Sequence, residues 1–125
     1  MNKNIAVYGS LRKMFGNHRI LRDGKATLIS EERVSIPYKM ISLGGFPGLI
    51  PSKEHSEVTI EIYEVNPQTY ERVEWLEGFP SFYQKAIINS TVGETEVYVL
   101  ENERYREYPI VECGDWVEYN KIEVE

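Results

Sequence analysis

The spacing of hydrophobic positions changes several times along the chain. Ile5-Ala6-Val7-Tyr8 is an unbroken apolar run stopped by Gly9, the pattern of a short strand buried on both faces. Asn17 then stands where an N-cap would start a short helix through His18-Arg19-Ile20-Leu21, with Gly24 as its stop. Strands are expected around residues 26–29 and 34–41, the second at a sheet edge because Pro37 has no amide to donate. Residues 44–51 hold too many glycines and prolines for regular structure yet are apolar, which predicts a loop tucked against a core or pocket.

From residue 57 to 65 the pattern alternates with period two. Val58, Ile60 and Ile62 point one way and Thr59, Glu61 and Tyr63 the other. Asn66-Pro67 supplies an N-cap and a first-turn proline for a helix that runs to Leu76 or Glu77 and stops at Gly78, with Pro80 beyond. Residues 86–91 and 96–100 read as a hairpin around Gly93, and Gly114 as a turn before a last strand over 116–124. With no regular strand–helix–strand alternation, the order predicts an α+β fold, and no repeat, linker or shift in composition divides residues 1–125 into more than one domain.

Composition narrows the functional classes. The formal net charge of -6 gives no electrostatic footprint for nucleic acid. Cys113 is the only cysteine, which excludes an intrachain disulfide and argues against a cysteine-based metal site. The N-terminal apolar run is too short for a signal peptide or membrane span, so a cytoplasmic protein with no membrane partner is the expectation. No pattern specifies an oligomer.

Two places stand out chemically. On a helical projection of residues 68–77, Tyr70, Val73 and Leu76 form the apolar stripe, and Glu77 falls almost beneath Tyr70 two turns away. A carboxylate on that face, beside the carbonyl-rich end of the helix, has its pKa pushed upward by lost hydration and by the helix dipole. It suits acid/base chemistry, but the same position also fits a side chain frayed outward or paired with a buried lysine or arginine. Glu71, Arg72 and Glu74 lie on the exposed side or its margin and read as structural. The second place is Tyr8-Gly9-Ser10-Leu11-Arg12, where glycine lets successive amides form a concave donor array for a carboxylate or oxyanion, or simply makes a Gly-Ser turn.

Other chemistries do not fit. Gly9 and Gly16 are followed by no Gly-Lys-Ser/Thr, and Ser10 lacks the glycine that a nucleophile elbow needs. His18 and His55 have no metal-ligand partner at a useful spacing. His18 reads as a helix-start or packing residue, His55 as a surface-loop residue, and Cys113 as a small buried hydrophobe.

Taken together, the motifs resemble the γ-glutamylcyclotransferase-like family. Val7-Tyr8-Gly9-Ser10-Leu11-Arg12 is similar to its Tyr-Gly-Ser/Thr-Leu signature. Asn17-His18 with Leu21 is similar to the Asn-His-x-x-Leu element of its γ-glutamylamine cyclotransferase branch. Glu61-Ile62-Tyr63-Glu64-Val65, Leu76-Glu77-Gly78 with Tyr83-Gln84-Lys85, and Gly114-Asp115-Trp116 with Tyr119 follow in the family's order. Two departures are Ile60, where the family often has Gly, and Lys85, where Arg is commoner; the first would reshape the pocket wall and the second loses a planar group.

The resemblance implies a small mixed β-barrel with flanking helices and a catalytic Glu77. It also implies a γ-glutamyl amide as the small-molecule substrate, cyclised to 5-oxoproline with release of the amine, without cofactor or metal. Gly9, Ser10 and Leu11 would stabilise the oxyanion through their amides. Tyr8 and Tyr83 would line the pocket or bind substrate, or else be packed core tyrosines. Two alternatives are a non-catalytic binder of a small anionic metabolite, and an enzyme of the same fold acting on an unrelated small molecule.

Overall fold

The structure is a computed structural model that describes the backbone of residues 1–124 and the side chains of residues 1–121. Five strands form one mixed sheet in the order β2-β3-β1-β5-β4. They are β1 (Lys3–Val7), β2 (Thr27–Ser42), β3 (Pro47–Val65), β4 (Gln84–Ser90) and β5 (Gly93–Val99). All neighbours are antiparallel except β1 and β5, so the parallel pair lies inside the sheet. The helices are α1 (Arg19–Asp23), α2 (Pro67–Glu77) and α3 (Trp116–Val124), with short 3-10 turns at Gly16–His18 and Glu103–Glu107.

The expected α+β class is observed, but the barrel is a loose description because the strand ladder does not close. The sheet curls until the β4–β5 turn reaches β2, where Thr91 donates from its amide (3.0 Å) and hydroxyl (2.7 Å) to Glu32. That link is made by side chains, not by a sixth ladder.

Alternation along the inner strands produces apolar packing on both sides. Ala6 and Tyr8 of the β1 segment join Ile60, Ile62, Val97 and Val99 in one cluster, while Ile5 and Val7 join Tyr63, Val73, Tyr83 and Tyr98 in another. α2 covers the second cluster through Val73. Both faces of β3 from Val58 to Tyr63 are therefore buried, including Thr59 and Glu61. Ile60 is fully buried in the first cluster and contributes nothing to the cavity wall, contrary to the expectation drawn from its departure from the family pattern.

Five local expectations are corrected. Residues 116–124 form a helix, not a strand: Asp115 Oδ1 accepts from the amides of Val117 (3.0 Å) and Glu118 (3.3 Å), and Trp116 stacks on Tyr119, one turn on. Residues 47–51 are strand, since β3 begins at Pro47 and pairs with β2 from Pro47↔Ser42 to Pro51↔Tyr38; only Gly44, Gly45 and Phe46 form a bend. The separate strands expected over 26–29 and 34–41 are one strand with register shifts near Leu28 and Pro37, and β2 is indeed an edge strand. His55 lies within β3, exposed but not in a loop, and Cys113 is exposed rather than buried.

One polar cluster ties these parts together. Arg12 is 3% exposed, and its guanidinium donates to Glu61 (2.8 Å), Asp115 (3.0 Å) and Glu31 (3.2 Å). The fully buried Glu61 also accepts from the amide of Lys13 (3.0 Å) and the hydroxyl of Tyr63 (2.8 Å). The segment after β1 is thereby anchored to β3, to β2 and to the start of α3. Removing one partner of a buried pair leaves a desolvated charge behind, at a cost of about 3–5 kcal/mol. Because Asp115 and Glu31 still face Arg12, Glu61→Ala should lose about 3 kcal/mol of stability, read as a lowered urea midpoint at unchanged slope.

Candidate active site

Asn66 starts α2 as expected: its side chain accepts from the Thr69 amide at 2.8 Å, and Pro67 occupies the first turn. Val73 and Thr69 are buried, Tyr70 and Leu76 half-buried, and Glu71 and Arg72 exposed. The helix stops at Gly78, whose left-handed φ of 66° a side chain would strain; the Gly78 and Phe79 amides then close on Trp75 O and Glu74 O, both at 3.1 Å. Glu77 is thus the last helical residue, placed just before the turn that leads to β4.

The opposing wall comes from the segment after β1. A Cβ on Gly9 would lie 2.8 Å from the ring carbons of Pro47, so only glycine allows this close approach. Arg12 N bonds to Gly9 O at 3.0 Å and closes the turn. Among the described residues, the amides of Gly9, Ser10 and Leu11 donate to no backbone carbonyl. Asn17, expected as a helix cap, instead lies within the 3-10 turn and donates to Ser10 Oγ at 3.0 Å. His18 is a packing residue, bonded through Nδ1 to Leu11 O (3.0 Å) and tilted against Tyr63.

These two walls enclose one cavity of about 370 Å³, lined by Tyr8, Gly9, Ser10 and Leu11 on one side and by Glu77 and Tyr83 on the other. All six residues singled out in the sequence therefore meet in one place. Tyr8 and Tyr83 are both buried, and their hydroxyls donate to Tyr98 O and Pro47 O, each at 2.6 Å, so they are structural wall residues as well as lining. Burial, followed by the charge of Glu77, raises the pKa of Tyr83, and burial with Tyr83 and Glu77 raises that of Tyr8. Both remain neutral phenols at physiological pH.

Glu77 is neither frayed into solvent nor paired. The nearby cation, Lys85, is held by Glu74, by the Tyr70 hydroxyl at 2.6 Å and over the ring of Phe79 at 4.1 Å. Glu74 is accordingly half-buried, at the margin of the exposed side as expected, and Lys85 is absent from the cavity lining. Glu77 keeps partial access to solvent through the cavity, yet protein surrounds it closely enough that burial alone raises its pKa to about 7.

Two contributors, Tyr98 and Phe82, escaped the sequence reading, and a third, Phe46, belongs to the apolar stretch expected to tuck against a core or pocket. Tyr98 lines the cavity, is 4% exposed, and has the one buried side-chain hydroxyl without a hydrogen-bond partner among the described residues. It reads in the sequence as one more aromatic of a strand. Phe46 and Phe82 also line the cavity, in edge contact at 6.1 Å, and come from a bend and a post-helical turn that carry no periodic signal. No group of three or more His, Cys, Asp or Glu residues able to hold a metal ion occurs among the described residues.

The raised pKa has a consequence for stability. In the unfolded chain the carboxyl titrates near its ordinary 4.5, whereas in the fold it does so at about 7. Stability that depends on the protonated form is complete below pH 4.5 and is lost as pH rises through about 7. Glu77→Gln should therefore gain on the wild type across that window, by up to about 2 kcal/mol once water entering the cavity is allowed for, and then level off. Denaturant unfolding of both proteins from pH 4 to 8.5 checks this; a pH-independent difference contradicts it.

Comparison with known proteins agrees with this architecture. The family described as "Gamma-glutamyl cyclotransferase, AIG2-like" matches residues 5–118. The chain is 28% identical over 114 residues to the γ-glutamylcyclotransferase family protein ytfP of Citrobacter rodentium, covering 91% of this chain and 95% of that one. It is 33% identical over 100 residues to the γ-glutamylaminecyclotransferase of Rattus norvegicus, covering 74% of this chain and 66% of that one. In fold it is similar to the crystal structure of protein PH0828 from Pyrococcus horikoshii, with a TM-score of 0.81 at 22% identity over 98% of this chain and 96% of that one. With a family match over residues 5–118 and a fold shared along nearly its whole length, the chain belongs to the γ-glutamyl cyclotransferase, AIG2-like family.

Proposed function

We propose that this chain, working as a single domain, is a γ-glutamylcyclotransferase that converts a γ-glutamyl amide into 5-oxoproline and a free amine. The family and the names of its relatives support a cyclotransferase-type enzyme. The observation that carries the reading further is the placement of a carboxyl with a pKa of about 7 across one cavity from three unpaired loop amides.

The reaction needs a bent substrate, a moving proton and a home for negative charge. Holding the γ-glutamyl group folded brings its α-nitrogen onto its own γ-carbonyl carbon, and closure of a five-membered ring is then favoured by proximity. The α-ammonium first gives a proton to the Glu77 carboxylate. The freed lone pair attacks the γ-carbonyl carbon, and the carbonyl π electrons move to oxygen. The amides of Gly9, Ser10 and Leu11 are assigned to that oxyanion or to the α-carboxylate of the substrate. As the oxyanion collapses, the bond to the leaving nitrogen breaks and Glu77 returns the first proton to it; the regenerated carboxylate then takes the second proton from the ring nitrogen and passes it to the released amine, which leaves as an ammonium. Atoms and charge balance without a further reactant.

A near-neutral pKa suits a group that accepts a proton and then donates it, because both transfers run close to thermoneutral. Tyr8 and Tyr83 shape the wall that keeps the substrate bent. The Tyr98 hydroxyl lies buried in the same wall without a protein partner. All proton and charge traffic in this account runs through protein groups.

Incubation with γ-glutamyl amides and chromatographic detection of 5-oxoproline tests the proposal. Release by the wild type should fall by about 10²–10⁴-fold in Glu77→Gln. The kcat/KM profile should carry an acidic limb near pH 7 that the variant lacks. Undiminished release from Glu77→Gln would remove this residue from the mechanism, and binding without any release would point to a binding protein.

A further inference from the structure

The charge and shape of the cavity bear on the half of the substrate that leaves. Among the residues lining it, Glu77 is the only one with a charged side chain at neutral pH. No lysine, arginine or histidine is present there to meet a carboxylate on the leaving amine, and no second acid to meet an ammonium. Of the lining polar side chains, Ser10 and Asn17 are bonded to each other at the loop, and the Tyr8 and Tyr83 hydroxyls are bonded to backbone carbonyls.

The mouth is aromatic. Phe46 is 39% and Phe82 36% exposed although both line the cavity, which places them where it opens to solvent. Phe82 is held by edge contacts to Tyr83 (4.8 Å) and Tyr105 (6.0 Å), and Phe46 packs against Phe82. Arg104, which shares an adjoining surface pocket with Phe82 and Tyr105, is turned onto Tyr105: it bonds the Tyr105 hydroxyl at 2.8 Å, covers that ring at 4.9 Å, and does not line the cavity. A volume of about 370 Å³ lies at the small end of ligand sites, which run from about 300 to 1,000 Å³, so the γ-glutamyl group leaves space for one small substituent.

We infer that this site selects γ-glutamyl amides of small, uncharged, apolar amines, with the alkyl or aryl group of the amine packed against Phe46 and Phe82. The inference rests on the cyclotransferase reading for its catalytic form but not for its binding form. Amines that carry a carboxylate or a second ammonium would bring a hydrated charge to an aromatic mouth with no partner for it, and would lose that hydration without compensation. An apolar group gains contact with two rings already exposed to water.

The test is a comparison of kcat/KM for γ-glutamylbenzylamide and γ-glutamylbutylamide with γ-glutamylalanine, whose leaving group is anionic, and γ-glutamylcadaverine, whose leaving group is cationic. The two apolar amides should be favoured at least about tenfold over both charged ones, a margin within reach of a hydrophobic pocket. The ratio of benzylamide to alanine derivative should fall about tenfold in the Phe46→Ala/Phe82→Ala variant, and Phe46→Arg should shift it toward the alanine derivative. Equal or better use of either charged substrate by the wild type overturns the inference. If no compound yields 5-oxoproline, the catalytic reading fails, and calorimetric binding of the same four compounds to the wild type decides the inference alone. A tenfold tighter benzylamide upholds it, and no preference overturns it.

Discussion

The buried pair between Arg12 and Glu61 is the constraint on which the rest of the site depends. Glu61 sits in the interior strand β3 with no exposure at all, and Arg12 reaches it from the far end of the turn that follows β1. Burying two charges is not in itself a source of stability, because each gives up its hydration. What the pair supplies is position. With Asp115 and Glu31 on the other nitrogens and Lys13 and Tyr63 on the other carboxylate oxygen, the turn has one place to lie. Gly9 is then set against Pro47, and the amides of residues 9–11 stay beside the cavity.

The opposite wall is positioned by a different device. α2 is fixed at its start by Asn66 and at its end by the left-handed Gly78, so its last side chain has no further turn of helix to follow. Glu77 is thereby held against the tyrosine-lined interior without a cation to neutralise it, since Lys85 is engaged by Glu74 and Tyr70. Had Lys85 paired with Glu77, the carboxyl would ionise readily and lose its ability to exchange a proton near neutral pH. The cluster around Lys85 thus contributes to the chemistry by keeping away from it.

Much of this was legible in the residue pattern, and the parts that were not share a cause. Local signals with a strong physical basis read true: the Asn66-Pro67 start and Gly78 stop of α2, the period-two run of β3, and the hairpin near Gly93. The candidate residues were singled out from two local features, the turn after β1 and the end of α2, together with the resemblance of the ordered motifs to the family, and the fold brings them to one cavity. The errors lie where tertiary context decides. Residues 116–124 contain Trp, Val, Tyr and Ile, a composition that favours strand, yet the Asp115 cap and the burial of Trp116 make them helical. Residues 47–51 hold two prolines and a glycine, but pairing with β2 carries them as strand. Asn17 has the chemistry of a cap and spends it on Ser10, and Tyr98 becomes distinctive only through what surrounds its hydroxyl.

The central claim is that the fold holds Glu77 as a near-neutral acid facing the residue 9–11 turn. Carbon-13 NMR titration of the glutamate side-chain carboxyls, with Glu77→Gln to assign the signal, measures it directly. The account predicts a midpoint close to 7 for Glu77. A midpoint near the ordinary glutamate value of about 4.3 would contradict it.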